Sequence, residues 1–262
     1  MPAEGKGEIL LQQVSKAFAN NGNSIQAFTG IDLEVPAGRF VSLLGPSGCG
    51  KSTLLRLLAG LEHPTSGHLY VDGKLVEGPH YSRGLVFQDQ TLFPWLTVKD
   101  NISFGPTARG ERVSDEVVNE YLDLTSLRPF KEMYPYQLSG GMAQRAALAR
   151  VLINQPVVLL LDEPLGALDA FTRMQMQDEL YQIWRAQHTT VLLVTHDVDE
   201  AIYLSQQVVI LTPRPARVQQ VIEVELGYPR AREHPDFFQL RNKIMATLHL
   251  YHQESAELTY TI

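Results

Sequence analysis

The period of apolar positions changes several times along the chain, and each change predicts an element. Residues 8–14 and 31–35 alternate as half-buried strands, with Ile31, Leu33 and Val35 inward and Asp32 and Glu34 outward. Between them, Asn20-Asn21-Gly22-Asn23 is a turn cluster that predicts a hairpin. Residues 40–44, 156–161 and 190–195 are almost continuously apolar. Strands of that kind lie in sheets covered on both faces. Shorter strands are predicted at 68–71, 84–87 and 208–211, with turns at 64–67 and Asp72-Gly73. Helical spacing marks 54–59, closed by Gly60, then 114–127, 142–154, 199–204 and an amphipathic stretch from Pro235 to about His252. Residues 1–7 read as a frayed end. The pattern predicts antiparallel β structure leaning on an α/β core.

One run has neither period. Thr91-Leu92-Phe93-Pro94-Trp95-Leu96-Thr97-Val98 carries large apolar groups and is broken by Pro94. Two readings are open for it: a docking surface, or a loop folded over the core.

The chemistry sits at the ends of the predicted strands. After residues 40–44 comes Gly45-Pro46-Ser47-Gly48-Cys49-Gly50-Lys51-Ser52-Thr53, and then a helix. Glycines let such a loop wrap a phosphate chain with its N–H groups turned inward, and the helix N-terminus adds partial positive charge. In that arrangement Lys51 reaches the β- and γ-phosphates and Ser52 ligates Mg²⁺. The strand over 156–161 ends in Asp162 and Glu163, at the edge where open α/β sheets bind ligands. Such a pair can hold Mg²⁺ and polarise an attacking water. Gln88 follows the strand at 84–87, where it either offers its amide oxygen to a metal or water or simply caps the strand. His196 follows the strand at 190–195 and is a candidate γ-phosphate sensor. Ser139 with Gly140-Gly141 opens an alanine-rich helix whose N-terminus can meet an anion. Phe18, beside the hairpin turn, is either a core residue or an aromatic for stacking on a base. Cys49 lies next to Lys51 and a helix N-terminus, which predicts a thiol of lowered pKa that alkylating reagents attack unless a ligand bound in the loop protects it.

Composition narrows the function class. The 262 residues are 44% apolar, which allows a large core. A formal charge of −7 argues against a general nucleic-acid binder. One cysteine excludes an internal disulfide and fits a reducing compartment. No run reaches the ~20 apolar residues of a spanning helix, and the N-terminus lacks a signal core, so a soluble or peripheral chain is expected.

These residues resemble the ATP-binding subunit of an ABC transporter over nearly the whole chain. Residues 45–53 match Walker A, and 157–162 with Glu163 match Walker B and its glutamate. Leu138-Ser139-Gly140-Gly141-Met142-Ala143-Gln144 resembles the signature motif, with Met142 where Gln is commoner. Gln88 matches the Q-loop, Ala167-Leu168-Asp169 the D-loop, His196 the switch histidine and Phe18 the aromatic stacked on adenine. Asn242-Lys243 is followed by Ile244-Met245, so the guanine-reading N-K-x-D is absent. Residues 92–98, 162–172 and Thr212-Pro213-Arg214-Pro215-Ala216-Arg217-Val218 resemble the importers of nitrate, sulfonates and taurine.

The resemblance implies one ABC ATPase domain over 1–262, with a P-loop α/β core and an N-terminal antiparallel β subdomain. It also implies a helical signature subdomain at about 91–155 and a short C-terminal extension at about 213–262. It implies ATP and Mg²⁺ as cofactors, with Ser52, Gln88 and Asp162 toward the metal and Glu163 activating water. ATP is expected between Walker A of one subunit and the signature of a second copy or paralogue. Membrane permease subunits, an indirect solute-binding protein and a peripheral place on the cytoplasmic face of the cell membrane are implied with it.

Overall fold

The protein is seen in a computed structural model that describes residues 6–20, 23–166 and 168–259. The chain begins with β1 (Ile9–Asn20), β2 (Asn23–Val35) and β3 (Phe40–Leu44), then α1 (Lys51–Ala59). Next come β4 (Ser66–Val71), β5 (Lys74–Leu75) and β6 (Arg83–Val86). Three helices follow, α2 (Val98–Ala108), α3 (Asp115–Leu124) and α4 (Gly140–Leu152). The chain continues through β7 (Val158–Asp162), α5 (Ala170–Gln187), β8 (Thr190–Val194) and α6 (Val198–Leu204). It ends in β9 (Gln207–Leu211), β10 (Val218–Glu223) and α7 (Pro235–Thr259).

Two sheets form. One has four strands in the order β2-β1-β4-β5 and is antiparallel throughout. The other has six strands in the order β10-β9-β3-β8-β7-β6. Its strands run parallel except for β10, which pairs antiparallel with β9. Every residue of β3, β7 and β8 is buried, as their unbroken apolar pattern requires. Helix α1 lies between the sheets: Leu54, Leu55, Leu57 and Leu58 share a core with Ile9 and Ile31 of one sheet and Val41 and Leu160 of the other. The opposite face of the six-stranded sheet is covered by α4 and α5 through Leu148, Leu152, Met176, Leu180 and Ile183. Because β3, β6, β7 and β8 are parallel, their carboxyl ends share one edge. That edge carries the phosphate loop, Gln88, the Asp162-Glu163 pair and His196.

The expected strands at 8–14 and 31–35 continue much further, into a long hairpin in which Asn20 pairs with Asn23. Asn21 and Gly22 of the predicted turn lie outside the described residues. The N-terminal ends of α3 and α4 follow the predicted caps: Ser114 accepts from Val117 N and Ser139 from Met142 N. Four elements have no counterpart in the apolar pattern, one of them the two-residue β5. Helix α2 contains Gly105 and Pro106, residues that ordinarily break helices. Helix α5 buries only Met176, Gln177, Leu180 and Ile183 in eighteen residues, so its apolar stripe is thin. Strand β10 is an edge strand with one fully buried position, Ile222.

The run over 91–98 is divided between core and surface. Leu92 packs on the cluster formed by α2, α3 and α4, whereas Trp95 is 70% exposed. Fully buried Asn101 fixes the shape. Its Nδ2 donates to the carbonyls of Phe93, Leu96 and Thr97, and its Oδ1 accepts from Phe93 N at 2.8 Å. One side chain thus supplies the backbone partners that an irregular loop would otherwise lack.

Candidate nucleotide site

The phosphate loop leaves β3 at Gly45 and enters α1 at Lys51. Gly50, the N-cap, has φ of 111°, a conformation that side chains resist, and the Phe28 ring lies against it. Pro46, Ser47 and Gly48 arch outward, and Cys49 N returns to Pro46 O at 3.3 Å. Lys51 is 5% exposed, and its ammonium donates to Gly45 O at 2.7 Å and Pro46 O at 3.0 Å across the curve of the loop. The α1 N-terminus has neither a side-chain cap nor an acid in its first turn. Its partial charge is therefore not neutralised locally, which suits an anion. Thr53 follows, half-buried, one residue past Ser52.

Ser52 Oγ donates to Asp162 Oδ1 at 2.8 Å, which joins the first turn of α1 to the end of β7. Burial pushes the Asp162 carboxyl up from its ordinary range, and the Ser52 bond opposes that. Among the described residues there is no cluster of three or more His, Cys, Asp or Glu. A hydroxyl beside one carboxylate is nevertheless a fitting donor set for Mg²⁺, which keeps waters and phosphate oxygens as its other ligands. Gln88 is exposed beyond the end of β6, the strand that pairs with β7.

Glu163 has φ of 46°, left-handed and strained for a residue other than glycine. Its N–H donates to Val194 O at 2.9 Å, which holds the turn to the end of β8. Its Oε2 lies 3.2 Å from His196 Nδ1. The edge therefore carries two linked pairs, Ser52 with Asp162 and Glu163 with His196. The first suits a cation, and the second offers a carboxylate and an imidazole to a water or phosphate.

Phe18 is 39% exposed, so it is not a core residue, and the Lys16 ammonium lies 5.0 Å from its ring centroid. Its ring is free to stack. Asp169 caps α5: its Oδ1 accepts from Phe171 N at 3.1 Å and Thr172 N at 3.0 Å, and its Oδ2 from Thr172 Oγ1 at 2.6 Å. The Thr172 hydroxyl and amide hold that carboxyl below its usual range. Ala167 lies outside the described residues. Ser139 and Gly140 are exposed at the start of α4, where Ser139 Oγ accepts from Met142 N at 3.3 Å. A Cβ built on Gly140 meets nothing within 4 Å, and one on Gly141 meets Thr172 Cγ2 at 2.9 Å. The neighbour of this helix end is therefore the first turn of α5, not the phosphate loop of its own chain.

Cys49 departs from expectation. The residue is 1% exposed and belongs to the core between the sheets. Burial pushes the thiol up, outweighing the downward pull of Lys51, the α1 backbone and Arg214. A reactive thiol needs an accessible thiolate, and this one faces inward with its pKa pushed the opposite way. Two polar residues went unread in the sequence. Glu200 is 4% exposed beside Thr195, whose hydroxyl donates to Glu200 Oε2, and burial raises its carboxyl to about 7. Arg214 donates from Nη2 to Gly48 O. Nothing in the local pattern marks Glu200, while Arg214 lies in a stretch noticed only for its resemblance.

Away from the sheet edge a groove of about 470 Å³ is walled by Tyr81, Arg83, Phe93, Phe104, Arg109 and Arg150 among others. The Phe93 and Phe104 rings are 4.4 Å apart, and the Arg150 guanidinium lies 5.5 Å from the Phe93 centroid. Of the large apolar residues in the 91–98 run, Phe93 lines this groove. Trp95 stands beside it, 5.6 Å from Phe93, and Leu96 is not part of the wall. No helix among the described residues is long and apolar enough to cross a membrane.

Residues 28–166 match the family model described as ABC transporter. An uncharacterized ABC transporter ATP-binding protein of Methanocaldococcus jannaschii is 47% identical, over 93% of this chain and 92% of that protein. An aliphatic sulfonates import ATP-binding protein of Bacillus cereus is 44% identical, over 90% of this chain and 94% of its own length. A taurine import ATP-binding protein of a Jannaschia species is 43% identical, with 92% and 93% covered. Among solved structures, the ATP-binding cassette MJ0796 as a post-hydrolysis dimer with ADP and Pi superposes with a TM-score of 0.74. It is 31% identical and covers 84% of this chain and 100% of that one.

Proposed function

This chain belongs to the ABC transporter family, and we propose that it is the ATP-hydrolysing subunit that energises uptake of a small anionic or zwitterionic solute such as a sulfonate, taurine or nitrate. The observation that carries the reading is the shared sheet edge. It brings a phosphate loop, the Ser52–Asp162 pair and the Glu163–His196 pair to one edge, while the signature helix end neighbours the first turn of α5.

The residues divide the work. Phe18 stacks on adenine, and the loop amides with Lys51 hold the phosphates. Ser52, Asp162 and Gln88 hold Mg²⁺, which when bound neutralises charge on the phosphates. Glu163 takes a proton from water as the water oxygen attacks the γ-phosphorus. The bond to the β–γ bridging oxygen breaks, and ADP and phosphate leave. In this structure His196 engages the same carboxylate. Arrival of the γ-phosphate draws His196 away and frees Glu163 as base, so the pair restrains hydrolysis until the phosphate is seated.

A single chain supplies one phosphate loop and one signature helix end, held apart. A second ATPase subunit, whether a second copy or a paralogue, then completes each site. Its Ser139–Gly141 helix end is directed at the γ-phosphate, where the partial positive charge of the helix N-terminus favours an anion. The groove between Phe93, Phe104 and Arg150 receives a short cytoplasmic helix of a membrane permease, and a solute-binding protein feeds the permease from the far side. Nucleotide-driven closing and opening of the ATPase pair moves the permease. The chain works at the cytoplasmic face of the membrane as a peripheral subunit.

Glu163→Gln tests this reading. It keeps the shape and removes the base, so ATP binding should stay within about twofold while turnover falls by about 100-fold or more. ATP should then trap a dimer on size exclusion. Near-normal phosphate release by this variant would move the base elsewhere.

A further inference from the structure

Of the three stretches that resemble the nitrate, sulfonate and taurine importers, the turn over 212–218 alone has no role yet. It joins β9 to β10 and is firmly anchored. Thr212 N donates to Arg217 O at 3.0 Å, and Thr212 Oγ1 accepts from Arg217 N at 2.9 Å, which closes the turn. Ala216 is fully buried at its tip. Its N–H donates to Ala27 O at 2.9 Å, and its carbonyl accepts from Thr29 N at 3.1 Å. The turn is thereby fastened to β2, the strand whose Phe28 abuts Gly50.

From this anchored base the exposed Arg214 reaches the phosphate loop, donating to Gly48 O. Gly48 has φ of 75° at the outer bend of the loop, and a Cβ there would stand 3.8 Å from Arg214 Nη2. The guanidinium is bonded to a carbonyl, so its charge is not cancelled by that partner. The charge is felt within the loop, since it lowers the Cys49 thiol against the effect of burial. A guanidinium carries five donors in a fixed fork, and one bond leaves the others available.

We propose that Arg214 is a further residue of the nucleotide site, a positioning residue that braces the phosphate loop through Gly48 and adds positive charge to the place where the phosphates bind. This rests on the ATPase reading of the loop. Arg214 acts through the loop and not on the attacking water, so it sets affinity and leaves the chemical step alone.

The test uses the full chain and ATP itself. Arg214→Ala should weaken ATP binding about tenfold, the size of a lost charged hydrogen bond, and raise KM in step. kcat should stay within about twofold. Arg214→Lys should recover most of the affinity by restoring the charge, whereas Arg214→Gln should recover little. The gap between wild type and Arg214→Ala should shrink as salt is raised. Because the side chain is exposed, melting without nucleotide should be unchanged in all three variants. Equal ATP affinity in wild type and Arg214→Ala overturns the proposal, and so does a fall in kcat at constant affinity. Full recovery by Gln overturns the charge component. A wild-type chain that bound no ATP would instead sink the ATPase reading, so the two failures are distinguishable.

Discussion

Two helix N-termini in this protein carry glycines, and they are built in opposite ways. At α1 the N-cap is Gly50, no side chain caps the helix, and the loop is tied down by Lys51, by the Ser52–Asp162 bond and by the Phe28 ring. At α4 the N-cap is Ser139, the helix end is exposed, and Gly140 has open space beside it. The first is a preorganised anion cradle at the edge of a buried sheet, paid for in advance by burial. The second presents a surface with room for something to approach. The difference teaches why one chain, with both kinds of end, makes half of each proposed site twice rather than one whole site.

The comparison breaks most visibly at Ser139. Ser139→Arg places a large cation where the open helix end should meet the phosphate of a second subunit. Turnover should drop about 100-fold, the size seen when a preorganised group at a reacting centre is lost. ATP binding by the isolated chain should stay within about twofold, in contrast to Lys51→Ala, which should lose binding itself. Equilibrium ATP titration beside a phosphate-release assay separates the two. An equal loss of binding in Ser139→Arg would mean that the helix end serves its own chain's phosphate loop.

A smaller effect is expected far from either helix end. Trp95→Asp should leave nucleotide binding and melting unchanged, because Trp95 is 70% exposed. It should weaken association with the permease by about 2 kcal/mol, as removal of an aromatic anchor does. A detergent pull-down reads the loss. Unfolding of the variant would show instead that the loop is held by Trp95 rather than by Asn101.

An effect on stability, not on activity, sharpens the sheet-edge side. Glu200 has its carboxyl raised from 4.5 to about 7 by burial next to Thr195. The folded chain therefore holds a proton that the unfolded chain releases above 4.5, and this contribution to stability is lost as pH rises toward 7. The slope from this group is at most about 1.4 kcal/mol per pH unit. Glu200→Gln, which imitates the protonated form, should remove that component when melting is followed across the same window. An unchanged pH profile would mean that the carboxyl is not buried in solution.

Much of the sheet edge was legible because its chemistry lies at strand ends. Lys51, Asp162, Glu163 and His196 follow apolar runs whose lack of alternation announces a parallel sheet, and a parallel sheet brings their carboxyl ends together. Cys49 was misread for the complementary reason. Neighbours in sequence predict a lowered thiol, but burial is decided by which way the loop turns its side chain against β-strands far along the chain. Helix α2 escaped because Gly105 and Pro106 mask its period, and α5 because tertiary packing engages so few of its residues. The loop at 91–98 was undecidable locally, since its shape is set by Asn101, which reads in sequence as an ordinary polar position on α2. Phe18 stood open between core and stacking in the local pattern, and the structure shows its ring exposed on β1.

The left-handed backbone at Glu163 bears on how this protein responds to selection. A carboxylate is held at φ of 46°, where asparagine or glycine would rest more comfortably. Asparagine there would relax the turn and lose the proposed base in the same step. A population of variants sorted by heat resistance alone would therefore drift toward chains that fold better and do nothing, and only sorting by growth on the transported solute would keep the glutamate in place.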